Sequence, residues 1–98
     1  MGETMITETR DGALGRYAVS HGKDGESELT YTMQGQVMVI GHTFTPPALR
    51  GHGIAARLVE RAVEDARKRG WTINPVCPYV RIKMDRTPAM NDVREAGT

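Results

Sequence analysis

The clearest periodicity in the chain lies between residues 55 and 66. Ala55, Leu58, Val59, Ala62, Val63 and Ala66 recur at the i, i+3, i+4, i+7 spacing that puts apolar side chains on one stripe of an α-helix. Arg57, Glu60, Arg61, Glu64, Asp65, Arg67, Lys68 and Arg69 fill the remaining positions and predict a solvent-facing side. Gly70 follows as a C-cap, and three basic residues before it suit the negative helix end. Upstream the period changes to two. Residues 6–9 alternate weakly, as an edge strand would. Residues 15–20 and 28–33 read as strands, and Val37, Met38, Val39 and Ile40 form an apolar strand that runs on through residue 45. Turn-forming residues separate them: Asp11-Gly12, the stretch 21–25, and Gln34-Gly35-Gln36. Pro46 and Pro47 end the last of these strands, because proline cannot donate to a sheet ladder.

After Gly70, residues 71–77 read as a further short strand. A strand–helix–strand order favours a right-handed crossover and parallel pairing. Pro78 stands where a second helix would begin, running to about residue 86, and Pro88 interrupts it. Residues 89–98 predict a short helical turn and a tail, with residues 1–4 and 94–98 expected to fray. The reading is α/β. A mixed, mostly antiparallel sheet precedes a long helix, and a short helix lies near the C-terminus.

Composition narrows the field. The chain has 98 residues, 39% of them hydrophobic and 26% charged, so one globular domain over residues 1–98 is expected. Thirteen basic and twelve acidic residues leave a net charge of +1. That balance gives no electrostatic reason to expect nucleic acid or a membrane surface as partner. No apolar run approaches the length of a bilayer span, and the first residues do not read as a signal peptide. The single cysteine cannot form an internal disulfide and fits a reducing, cytoplasmic setting. His21, His42, His52 and Cys77 lack the paired spacing of zinc ligands, so no metal is expected.

Chemistry concentrates between the apolar strand and the long helix, at Arg50, Gly51, His52, Gly53, Ile54 and Ala55. A strand, a Gly-bearing turn and a helix start point free N–H groups and the positive end of the helix dipole at one place. Gly51 and Gly53 permit close backbone approach, and Arg50 adds a fixed charge. The combination suits an anion such as a pyrophosphate. A tight turn that only caps the helix has the same composition. A nucleotide P-loop and a dinucleotide fingerprint are both missing.

Arg50-Gly51-His52-Gly53-Ile54-Ala55 resembles the Q/R-x-x-G-x-G/A signature of the GNAT acetyltransferases. His42-Thr43, Pro46-Pro47-Ala48-Leu49 and Pro75-Val76-Cys77-Pro78-Tyr79-Val80 extend the resemblance to small GNAT-like proteins of about this length, over residues 14–93. It implies acetyl-CoA as co-substrate, an amine acceptor, and a monomer or weak dimer. Residues 50–55 would then hold the pyrophosphate. The backbone of Thr43, Phe44 and Thr45 would pair with the pantetheine arm and polarise the thioester carbonyl. Two sheet strands diverging near the loop would leave the slot.

Side-chain roles follow with their plainer alternatives. His42 is a candidate general base, or a half-buried sheet histidine. Many relatives carry an acidic residue two positions later, where this chain has Phe44. Cys77 sits at a strand-to-helix junction, a setting that activates thiols; a small buried apolar residue explains it equally. Tyr79, Lys83 and Arg86 share a helical face. Tyr79 is a candidate proton donor to the departing thiolate, and Lys83 and Arg86 are candidate partners of the adenosine 3′-phosphate. A solvated basic face accounts for the same spacing. The expected function is acetyl transfer to an amine. The alternatives are a CoA-binding module with little turnover and a non-enzymatic scaffold.

Overall fold

The computed structural model describes residues 5–98, and the fraying expected of residues 1–4 lies outside the described residues. Five strands, β1 (Thr7–Asp11), β2 (Leu14–Ser20), β3 (Glu26–Gln34), β4 (Val37–Phe44) and β5 (Thr72–Pro75), form one sheet in the order of the chain. The first four pair antiparallel in a meander, and β5 pairs parallel with β4. Helix α1 (Ile54–Arg69) makes the crossover, and α2 (Pro78–Asp85) follows β5. This is the mixed α/β arrangement expected from the period changes.

Gly70 ends α1 in the left-handed region at φ 73°, and its N–H donates to the Ala66 carbonyl. Pro78 opens α2 as expected. Strand β5 is shorter than the 71–77 reading. The Val76 N–H bonds back to the Asn74 carbonyl at 3.1 Å, a tight turn that ends the pairing, and Cys77 becomes the cap of α2. Residues 88–93 form a 3-10 helix. Beyond it, Arg94 bridges Ile73 and the Glu95 N–H donates to the Ile73 carbonyl at 2.8 Å, which ties the start of the C-terminal stretch to β5.

The core fills the space between one sheet face and the helices. Leu58, Val59, Ala62 and Val63 of α1 pack against Tyr17, Leu29, Met38 and Ile40, with Val80 and Met84 of α2 closing one end. Asp65, assigned by its charge to the solvent side of α1, is buried instead. It lies seven residues after Leu58, on the apolar stripe, and the Tyr17 hydroxyl donates to its Oδ2 at 2.7 Å while the Arg61 Nε donates at 3.1 Å. A buried phenol needs an acceptor, and this carboxylate supplies it.

A second carboxylate ties β1 to α1. Glu8 accepts both ends of the Arg69 guanidinium at 2.8 Å and the Tyr31 hydroxyl at 2.8 Å. The Arg69 bond outweighs burial and holds the Glu8 carboxyl down at about 2, against an ordinary 4.5. A carboxyl depressed on folding stabilises the native state above its unfolded value, and that stabilisation is lost as pH falls toward the folded one. Glu8 should therefore contribute about 2 kcal/mol above pH 4.5, lost on acidification to about 2, after allowance for the partly exposed Arg69. Denaturant melts across this range should show Glu8→Gln less stable than the native chain at neutral pH and converging with it in acid. Parallel curves would contradict the assignment.

Candidate functional site

The site begins with an irregularity in β4. Tyr31 of β3 pairs with Ile40, but Thr30 pairs with His42, so Gly41 is an extra residue, a β-bulge. Beyond it β4 stays on β3, with Leu29 opposite Thr43 and Glu28 opposite Phe44. On its other side β4 parts from β5. The last ladder pair is Ile40 with Pro75, and the Cys77 N–H donating to the Ile40 carbonyl at 2.8 Å is the final tie. The end of β4 thus runs into an opening between the two parallel strands.

The loop after β4 returns across this opening. Pro47–Leu49 form a 3-10 turn, and the Arg50 Nε donates to the Thr45 carbonyl at 3.0 Å, fastening the loop to the strand end. Gly51 and Gly53 take φ 86° and 75°, and Gly53 is the N-cap of α1. A Cβ at either would meet nothing within 4 Å, so the turn is open on its outer side. The first turn of α1 has no acidic side chain and no side-chain cap. Its orphan N–H groups therefore remain for a ligand.

A cavity of about 540 Å³ occupies the opening. Thr43, Phe44 and Thr45 form one wall; Arg50, Gly51, Gly53, Ile54 and Ala55 form another; Leu49 and Tyr79 complete it. Nine of the residues singled out from sequence meet here. Thr45 Oγ1 is buried in the structure without a hydrogen-bond partner. A buried hydroxyl left unpaired beside a cavity fits a polar ligand group. Burial, with Glu60 adding to it, raises the Tyr79 phenol, which stays protonated at neutral pH. Cys77 is buried just beside the wall, its Sγ 3.5 Å from Thr43 Oγ1.

The other candidates lie apart. His52, Lys83 and Arg86 do not line this cavity. Lys83 reaches Glu60 of α1 at 3.6 Å, and Arg86 caps α2. His42 projects from the opposite face of the sheet. There it lines a shallow groove of about 490 Å³ with Arg16, Thr30, Val39 and Gly41. Successive residues of one strand, His42 and Thr43, therefore border two depressions on opposite faces, as the two-residue period requires. Among the described residues, no group of three or more His, Cys, Asp and Glu is placed to hold a metal ion.

Residues 16–93 match the family described as GCN5-related N-acetyl-transferase. The chain belongs to that family. Its fold agrees. A GCN5-like candidate N-acetyltransferase from Staphylococcus aureus superposes with a TM-score of 0.76 at 21% identity, over 97% of this chain and 91% of the other. A candidate acetyltransferase of the GNAT family from Bacteroides thetaiotaomicron gives a TM-score of 0.51 at 20% identity. That match covers 82% of this chain but only 47% of the larger protein. In this GCN5-related chain, sequence reasoning passed over the bulge at Gly41, the orphan hydroxyl of Thr45 and the surroundings of His42. An isolated glycine inside an apolar strand was the available signal for the first.

Proposed function

We propose that this chain transfers an acetyl group from acetyl-CoA to an amine. The observation that carries the reading is the cavity at the parting of β4 and β5, where an anion-suited loop, a free strand end and an unpaired buried hydroxyl converge. Acetyl-CoA would supply a thioester whose acyl carbon is open to attack by nitrogen. The remaining tasks fall to this chain. The loop at Gly51 and Gly53, with the start of α1, suits the pyrophosphate, and Arg50 adds charge while holding the loop to Thr45. The backbone of residues 43–45 suits the pantetheine amides, and Thr45 Oγ1 offers one more polar contact. Tyr79, kept protonated, is suited to donate a hydrogen bond to sulfur, with Cys77 beside it as pocket wall or acyl acceptor. His42, on the opposite face, is suited to take the proton from an amine approaching through the groove. Holding both reactants at one gap in the sheet supplies much of the acceleration.

A second reading, a CoA-binding module with little turnover, is favoured by one feature. Among the described residues no helix covers the groove face, so an acceptor would be held by the sheet surface alone. Calorimetric titration with CoA and acetyl-CoA should show binding to the native chain and about tenfold weaker binding to Arg50→Ala, the loss expected for a charge-assisted contact. Absence of binding to the native chain would overturn the proposal. Binding without turnover on any of a panel of amines would select the module. An acetyl mass increment lost in Cys77→Ser would assign the acyl acceptor.

A further inference from the structure

We propose that Thr43 and Cys77 form an end wall that limits the transferred acyl group to acetyl, so that the contact between them sets acyl-chain selectivity. The inference rests on the acetyl-transfer reading above for the direction in which acetyl-CoA lies. In that reading the loop at residues 50–55 marks the anion end of the cavity, and the backbone of residues 43–45 carries the pantetheine arm away from it. The thioester then arrives at Thr43, the first residue of β4 to line the cavity. The acyl group is the part of the ligand that must fit beyond that point.

There the cavity stops. Cys77 does not line it; it is 6% exposed and belongs to the buried core with Ile40, Val80 and Met84. Thr43 Oγ1 and Cys77 Sγ stand 3.5 Å apart, within hydrogen-bonding reach of a sulfur. This contact joins two chain segments whose backbones have already parted, since the ladder between β4 and β5 ends at Ile40 with Pro75. Two side chains thus close the gap that the backbone opens.

Both sides of the wall are anchored. The Cys77 N–H donates to the Ile40 carbonyl at 2.8 Å, and its carbonyl accepts from the Arg81 N–H at 2.9 Å, which ties the residue to β4 on one side and to α2 on the other. Thr43 is held in the ladder opposite Leu29, itself fully buried. An acyl chain longer by one or two methylenes would have to push this contact into packed core, where added volume is costly. The same geometry names what would widen the site. Loss of Sγ at Cys77, or of the branched side chain at Thr43, removes half of the wall and leaves every backbone tie in place. Exchanging the Thr43 hydroxyl for a methyl group removes the polar contact but keeps the bulk, and so separates the two contributions.

Calorimetric titration with CoA, acetyl-CoA, propionyl-CoA and butyryl-CoA tests this on the native chain and on Cys77→Ala, Thr43→Ala and Thr43→Val. Each affinity is taken relative to the same variant's affinity for CoA. The native chain should bind acetyl-CoA about as well as CoA, and butyryl-CoA about tenfold more weakly or worse, with propionyl-CoA between them. Cys77→Ala and Thr43→Ala should each recover most of the butyryl loss. Thr43→Val should keep it, because valine fills the same space. Binding is the readout, so the result does not depend on whether Cys77 also takes up an acyl group, and Thr43→Ala keeps the test available if Cys77→Ala does not fold. A native chain indifferent to acyl length overturns the proposal. So does a butyryl penalty unchanged in both alanine variants, or one relieved as fully by valine as by alanine. In each of those outcomes CoA still binds and the acetyl-transfer reading stands. A native chain that binds no CoA fails that reading itself, and the proposal with it.

Discussion

Gly51→Val should weaken CoA binding by about 30-fold or more and leave the melting temperature close to native. The glycine holds φ 86°, and nothing lies within 4 Å of the position a Cβ would take. The substitution therefore meets no steric wall in the protein. Its cost is conformational. A β-branched residue is a genuine outlier at positive φ, with about 1–3 kcal/mol needed to hold it there. An exposed turn will not sustain that cost. It will relax to negative φ, and the N–H groups flanking the turn will swing away from the cavity. Two kcal/mol lost from binding corresponds to about 30-fold in affinity. The helix behind the loop packs through Leu58, Val59 and Ala62, so global stability should barely respond. Gly53→Val should act alike but also disturb the entry to α1, because Gly53 is its left-handed N-cap. Calorimetry and thermal melting on the same samples separate the two effects. Native affinity in Gly51→Val would mean that the turn's conformation does not make the anion site, whatever else binds CoA.

How much of this was legible depended on range. Helix α1, its Gly70 cap, the meander and the parallel return to β5 are each written in contiguous residues, where apolar spacing and turn chemistry fix the outcome. The loop at residues 50–55 was legible for the same reason. What escaped were contacts between side chains distant in sequence. Asp65 is charged and was assigned to solvent, yet the angular position it shares with Leu58 and a phenol 48 residues earlier bury it. Glu8 and Arg69 stand 61 residues apart. The partner of His42 depended on a bulge that shifts register by one residue, and no periodicity reports such a shift. The candidate site divides the same way. The loop proposed for the anion is local, so its glycine turn and helix start were readable. The surroundings of His42 are assembled across three strands and were not.

That dependence on register makes the sheet's packing a functional matter, and Gly15 is where it is most exposed to test. Gly15→Ala should lower stability by about 3 kcal/mol, or about 15 °C in melting temperature for a chain of this size. Gly15 of β2 pairs with Tyr31 of β3, and the ring lies directly over it. An added Cβ would sit 2.0 Å from Cζ and 2.4 Å from the hydroxyl oxygen. The ring cannot simply swing aside. It packs against Tyr17 with centroids 5.6 Å apart, and its hydroxyl donates to Glu8 at 2.8 Å. Burial and then Glu8 push the Tyr31 phenol up to about 12, which marks how closely it is held in the neutral, donating form. Moving the ring forfeits packing and strands the hydroxyl, each worth about 1–2 kcal/mol. Gly41→Ala supplies the control. Nothing crowds a Cβ there and the glycine does not need positive φ, so stability should change little. A double-mutant cycle with Tyr31→Ala isolates the cause. If the ring is the obstacle, adding Gly15→Ala to Tyr31→Ala should cost far less than it does alone. An equal cost in both backgrounds would instead locate the penalty in the backbone of β2.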